Sequence, residues 1–211
     1  MSEPTAGLWR EGVLRDDERA APRGCVVKFG GSLLLHPDWP ELLVALARRS
    51  SAAAPSTFVV GGGPVVDGLR TIDGVRRGCQ EEIHRLAIDA MGITARLVAA
   101  TSGLPIVPTP PDPERTSAPP GEERRWAVIL DVASWIAARP GSDADLPRSW
   151  EVTSDSLAAM VASRHGLGLV LAKRVPPPSA LPALAASGWV DPCFIAAARD
   201  VGRIGWVAPA R

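Results

Sequence analysis

The chain has 211 residues, 46% of them hydrophobic, and its 23 basic and 23 acidic side chains cancel to a formal charge of zero. That is enough apolar chain for one globular core, and the lack of net positive charge argues against nucleic acid or an acidic membrane surface as a main partner. No apolar run is long enough to span a bilayer, and Glu3, Glu11 and Asp16 stand where a secretion signal needs an apolar stretch, so the cytoplasm is the default compartment.

Residues 1–23 are charged, contain Pro4 and Pro22, and read either as a mobile leader or as an edge strand around Leu8-Trp9-Arg10. Residues 24–211 read as a single domain. Its first element is Cys25-Val26-Val27-Lys28-Phe29-Gly30-Gly31-Ser32, a short buried strand of β-branched residues that ends in a lysine, two glycines and a hydroxyl. Glycines let backbone N–H groups approach an anion closely, and Lys28 adds a point charge on a flexible stem, so Lys28, Gly30, Gly31 and Ser32 read as a phosphate cradle. Asp38 caps a helix through Leu42, Leu43 and Leu46 that ends near Arg49, with Pro40 in its first turn.

A second strand, Thr57-Phe58-Val59-Val60, runs into Gly61-Gly62-Gly63-Pro64. Strand, glycine loop, helix, repeated, is the alternation of a doubly wound sheet, whose ligands bind at the carboxyl edge. Neither loop is a P-loop, because no Gly-Lys-Ser/Thr follows, and Val66 stands where a dinucleotide-binding turn requires glycine. A helix from Gly63 is expected to break at Gly74 and Gly78. A longer one over 79–101 is expected to bury Ile83, Leu86, Ala87, Ala90, Met91 and Thr94, with His84 and Asp89 beside that stripe.

Leu104-Pro105-Ile106-Val107 reads as a brief strand. Residues 108–121 hold six prolines and little apolar content, so the expectation is an exposed, mobile loop, either a lid or a plain surface excursion. Trp126 to Leu130 reads as a strand that hands over to a helix capped by Asp131. Thr153 or Ser154 caps the helix that follows Trp150-Glu151-Val152, with Asp155 in its first turn, where hydroxyls and amides at a helix start also suit phosphate. Gly168 to Lys173 is the next buried strand, a short helix is expected over 179–187, and Arg203 to Val207 closes the sheet.

The cysteines, Cys25, Cys79 and Cys193, are too few and too scattered for a disulfide framework or a zinc site and read as small buried hydrophobes. The basic residues are more telling, since 21 are arginine and two, Lys28 and Lys173, are lysine. Both lysines follow apolar strands. Either the arginine bias left them by chance, or the chain keeps two compact ammonium groups to meet a transferring phosphoryl group.

The runs Val26-Val27-Lys28-Phe29-Gly30-Gly31-Ser32, Val59-Val60-Gly61-Gly62-Gly63-Pro64 and Trp150 to Ala159 together resemble the amino acid kinase superfamily. Asp145 to Ser156, the short length and Gly188-Trp189-Val190-Asp191-Pro192-Cys193-Phe194 are most similar to the small kinases of methanofuran biosynthesis. The resemblance implies a three-layer α/β/α sandwich with a mostly parallel central sheet. It also implies transfer of the γ-phosphoryl of ATP, with magnesium carried by the nucleotide, to a small phosphate or carboxylate acceptor without a covalent enzyme intermediate. The acceptor it favours is an aminomethylfuranmethyl phosphate, giving the diphosphate. An amino-acid carboxylate kinase and a non-catalytic nucleotide- or oxyanion-binding relative are the alternatives.

By the same resemblance, Lys28, Asp155 and Lys173 are catalytic, with Asp155 orienting the two lysines. Gly30, Gly31, Ser32, Gly61, Gly62 and Gly63 hold phosphate; Thr153, Ser154, Lys173 and Arg174 hold the nucleotide; His84, Asp89 and Asp131 meet the acceptor. Many members carry Asp-Val-Asp-Gly after the second strand lysine, whereas this chain has Arg174-Val175-Pro176-Pro177. No dedicated metal site, nucleic acid or membrane is expected, and a homo-oligomer is possible.

Overall fold

The computed structural model describes residues 7–17, 23–51, 54–112, 127–138 and 146–210; Trp126 and most of the proline-rich 108–121 segment lie outside them. The elements run β1 (Trp9–Asp16), β2 (Cys25–Phe29), a 3-10 turn (Gly31–Leu35), α1 (Trp39–Ser50), β3 (Ser56–Val60), α2 (Gly63–Val75) and α3 (Gln80–Ser102). They continue with β4 (Ile106–Val107), β5 (Ala127–Leu130), α4 (Val132–Ala137), α5 (Ser154–His165), β6 (Gly168–Ala172), α6 (Phe194–Ala197) and β7 (Arg203–Pro209).

The strands form one seven-stranded sheet in the order β1-β7-β6-β2-β3-β5-β4. Only β1 is antiparallel, paired with β7 along the edge, so the segment around Trp9 takes the edge-strand alternative. β3 is buried at every position, and β2 at all but its first, as expected of parallel strands covered on both faces. The pleat sorts their side chains. Val26 and Val59 join α5 and α6 in one core half, while Val27, Phe29, Phe58 and Val60 join α1 in the other. β2 and β6 are neighbours, yet the chain leaves β2 toward β3 and leaves β6 toward β7. Adjacent strands whose loops part this way open a crevice at their carboxyl ends, and the site lies there.

Helix α2 ends at Val75, one residue past Gly74, and the break before α3 spans 76–79 with Gly78 in it, as expected. Three local expectations are corrected. Helix α3 buries Ala90, Met91 and Thr94 as expected, together with His84, Ile88, Ala95 and Val98, but leaves Ile83 and Ala87 half-buried and Leu86 39% exposed, so the stripe is shifted at its start. The expected helix over 179–187 is a 3-10 turn at Leu181–Ala183, ended by turns up to Gly188, whose φ of 69° suits glycine. Asp38 occupies the N-cap of α1 without a side-chain capping bond. Of the cysteines, Cys79 is exposed, whereas Cys25 is half-buried and its thiol is pushed up to about 11 by burial. No helix among the described residues is long and apolar enough to cross a membrane.

Candidate phosphate-handling site

Lys28 alternates with Val27 and Phe29, so it emerges on the α5 side of the sheet together with Val26. Lys173 is the first residue past β6, and its N–H donates to the Val207 carbonyl at 3.0 Å. Helix α5 crosses that face with its N-terminus at the carboxyl edge and presents Asp155 from its first turn. One Asp155 oxygen lies 2.9 Å from the Lys28 ammonium and the other 2.6 Å from that of Lys173. Lys28 and Asp155 are only 5% and 4% exposed.

Burial alone would push the Asp155 carboxyl up; the charges of Lys28 and Lys173 overcome this and hold it below the usual carboxylate range. The Lys173 ammonium is lowered to about 8, first by burial, then by repulsion from Lys28, against the attraction of Asp155. Two cations share one anion, and the surplus positive charge faces the crevice.

The glycine loops pack against each other, backbone on backbone. A Cβ on Gly31 would lie 2.1 Å from the Gly63 nitrogen, and one on Gly63, whose φ is 50°, would lie 2.5 Å from the Gly31 carbonyl oxygen. We expect Gly31→Ala to lower the unfolding free energy by about 1–3 kcal/mol and to weaken phosphate binding; an unchanged urea midpoint with unchanged affinity would refute the close approach. The cradle is smaller than the sequence implies. The Gly30 N–H donates to the Ala172 carbonyl and the Gly61 N–H to the Phe29 carbonyl, both at 2.9 Å, so the amides that extend the sheet are spent. Those left for an anion begin the 3-10 turn and α2, at Gly31, Ser32, Gly62 and Gly63, since the first amides of a helix have no partner in their own turns.

The cavity above this floor has a volume of about 240 Å³. Of the residues singled out from the sequence, Lys28, Gly31, Ser32, Gly61, Gly62, Gly63, His84, Thr153, Ser154 and Lys173 line it. Asp155 stands behind the ammonium groups. Thr153 caps α5, accepting from the Asp155 N–H at 3.2 Å, while its own hydroxyl donates to Asp191 at 2.7 Å.

Four assignments fall away from the cavity, the first of them Gly30, which does not line it. Asp89 is exposed and lines a separate hollow with Cys79, Arg85 and Arg148, because α3 turns it to the opposite flank. Asp131 is a helix cap, accepting from the N–H and hydroxyl of Ser134 at 3.1 and 2.7 Å. Arg174 is exposed on the turn beyond Lys173.

The far wall belongs to residues the sequence reading passed over. Val66, Asp67 and Arg70 follow Gly63 at helical spacing on α2, a periodicity that was visible in the chain. The Arg70 guanidinium lies 5.0 Å from the centre of the Trp150 ring, and the Trp150 N–H donates to the buried Asp73 at 2.9 Å. His84 Nδ1 lies 3.2 Å from the Ser149 carbonyl, so α2 and α3 both clamp the segment leading into α5.

A wider groove of about 590 Å³ lies at the amino end of the strands, with Arg49 and Glu11 paired across its rim. It holds no buried ionisable cluster among the described residues.

No family model matches the sequence, and no curated protein does. The structure is similar to uridylate kinase from Archaeoglobus fulgidus, with a TM-score of 0.56 and 15% identity over 88% of this chain and 90% of that one. It is also similar to aspartate kinase from Synechocystis, with a TM-score of 0.53 and 15% identity over 90% of this chain. It spans only 41% of the length of that aspartate kinase. A seven-stranded, mostly parallel sheet between helical layers, shared with these two proteins across nearly the whole chain, gives this protein the amino acid kinase-like fold.

Proposed function

We propose that this protein is an ATP-dependent phosphotransferase that moves the γ-phosphoryl group to a small anionic acceptor. The observation that carries the reading is the convergence of Lys28 and Lys173, the only two lysines of the chain, on the buried Asp155 beside helix-start amides at the carboxyl edge of the sheet. The cavity suits a phosphate chain: two ammonium groups and four amides supply donors, and the one carboxylate that lines it, Asp67, is paired with Arg70 at 3.4 Å. ATP supplies the phosphoryl group, and ADP is the product. Lys28 and Lys173 offset the charge that spreads over the migrating group, and Asp155 holds both in place. With both carboxylate oxygens facing ammonium groups, Asp155 is an orienting group rather than a base. Among the described residues no three His, Cys, Asp or Glu side chains gather as a metal cage, so in this reading magnesium arrives on the nucleotide.

The first acceptor to assay is an aminomethylfuranmethyl phosphate, which the motif resemblance favours; amino-acid carboxylates are the second class. Coupled detection of ADP across both sets tests the reading, and ATP binding without turnover on any acceptor would assign the protein to the non-catalytic alternative.

The pH dependence separates activity from stability. Lys173 must be charged to act, so turnover is expected to fall as pH rises through about 8. Stability moves the other way. The folded value lies below the ordinary lysine value of 10.5, so between about 8 and 10.5 the unfolded chain binds more protons and stability rises with pH. Turnover and urea midpoints measured across that window check both signs.

A further inference from the structure

We propose that the segment carrying Trp189 and Asp191 is the positioning element of this site: Asp191 sets the α5 N-terminus so that Asp155 meets both ammonium groups, while the Trp189 carbonyl fixes the Lys173 nitrogen. The proposal deepens the phosphotransferase reading and takes its catalytic meaning from it.

Asp191 is 6% exposed and lies 36 residues beyond Asp155 in the chain. Its Oδ2 accepts from the Thr153 N–H at 3.0 Å, the Thr153 hydroxyl at 2.7 Å and the Ser156 N–H at 3.1 Å. Its Oδ1 accepts from the Ser156 hydroxyl and from the Cys193 N–H, the latter at 3.0 Å. The Thr153 hydroxyl oxygen in turn accepts from the Asp155 N–H, so a two-bond relay joins Asp191 to the backbone of the residue that pairs the lysines. Backbone N–H groups reach both oxygens of Asp191 and cannot reverse their polarity. Only an ionised carboxylate accepts on both sides; an amide would turn its NH2 against one of them.

Two residues earlier, the Trp189 carbonyl accepts from the Lys173 ammonium at 2.5 Å, and that nitrogen lies 5.0 Å from the Trp189 ring centre. The Trp189 indole N–H donates to the Val175 carbonyl at 3.0 Å, which pins the turn after Lys173 to the same segment. One short stretch therefore holds both partners of the 2.6 Å Lys173–Asp155 pair. It also supplies charge. Lys28, Asp155 and Asp191 are the ionised groups that act on Lys173, and the Asp191 carboxylate favours the charged ammonium against burial and the Lys28 cation.

With two lysines in the chain, labelling with 13Cε-lysine gives two signals, which Lys28→Met assigns. In Asp191→Asn the Lys173 midpoint is expected to drop by about one pH unit, and Asp191→Glu, which keeps the charge, to return it toward the wild-type value. Leu43→Ala, in the opposite core half, should lose thermal stability without moving the midpoint. A midpoint unmoved in Asp191→Asn overturns the proposal and leaves Asp191 a plain helix cap. If the asparagine variant does not fold, Thr153→Val decides, because it cuts the hydroxyl relay while Asp191 keeps its charge: a lowered Lys173 midpoint supports the proposal, and an unmoved one overturns it. The titration needs no turnover, so an Asp191-dependent midpoint in a protein that transfers no phosphoryl group would sink the phosphotransferase reading alone.

Discussion

Lys28→Met is expected to lower turnover by about a hundred- to a thousand-fold, the usual effect of removing one positioned group that stabilises transition-state charge. Methionine matches the length and much of the volume of lysine, so the 5% exposed position stays filled and the β2 register with β3 and β6 is kept. What disappears is the ammonium 2.9 Å from Asp155. Lys173 then holds the carboxylate alone, and the one other cation that lines the cavity, Arg70, is on the far wall and paired with Asp67. Circular dichroism should report an intact fold, and ADP release at saturating ATP should report the loss. Turnover equal to wild type would remove Lys28 from the catalytic machinery and with it the two-lysine mechanism, whatever became of the fold.

Asp155→Ala is expected to destabilise the protein by about 3–5 kcal/mol at neutral pH, because it leaves uncompensated charge in a buried place. Both lysines are mostly buried, at 6% and 15% side-chain exposure, and each loses its ion-pair partner. The sign of the pH response is diagnostic. With Asp155 present, its lowered carboxyl makes the pairing a stabilising contribution above the ordinary carboxylate range, lost as pH falls through the folded value. With Asp155 gone, the strain is relieved from the other side, by deprotonation of an ammonium, so stability should recover as pH rises toward 9. Urea midpoints at pH 7 and pH 9 measure this. A variant as stable as wild type at pH 7, or one that weakens further on alkalisation, contradicts the three-centre arrangement.

Helix and strand identities came from signals confined to a few residues. The apolar β-branched runs of β2 and β3, the glycines that end them and the hydroxyl cap of α5 each state their structure locally. Where those signals are weak, contacts between elements decided. The phase of α3 is one case: its apolar positions favour Leu86, yet packing against α2 and α4 turns His84 inward, because the Ser149 carbonyl offers its ring a partner that water would otherwise provide.

The site divides along the same line. Lys28, Lys173 and Asp155 were singled out from residue type and resemblance, and the structure gathers them within ion-pair distance. Asp89 and Asp131 were assigned to the acceptor by the resemblance, but which flank of a helix or end of a strand a carboxylate faces depends on neighbours that no local pattern encodes. Arg70, Trp150 and Asp191 were given no role in the site, although Trp150 and Asp191 stand in the motifs that carry the resemblance, because each acquires its place only when elements distant in the chain meet.

The order of strands and helices, the two glycine loops and the sparing use of lysine are written in the sequence itself, because backbone conformation and charge type are properties of single residues and their immediate neighbours. Which amides of those loops remain open, which carboxylate stands between the ammonium groups and which distant residue holds it there were decided by the tertiary structure. Hydrogen bonds and ion pairs act over a few ångströms, and the chain brings Lys28, Asp155, Lys173 and Asp191 within that range only by folding the sheet between its helices.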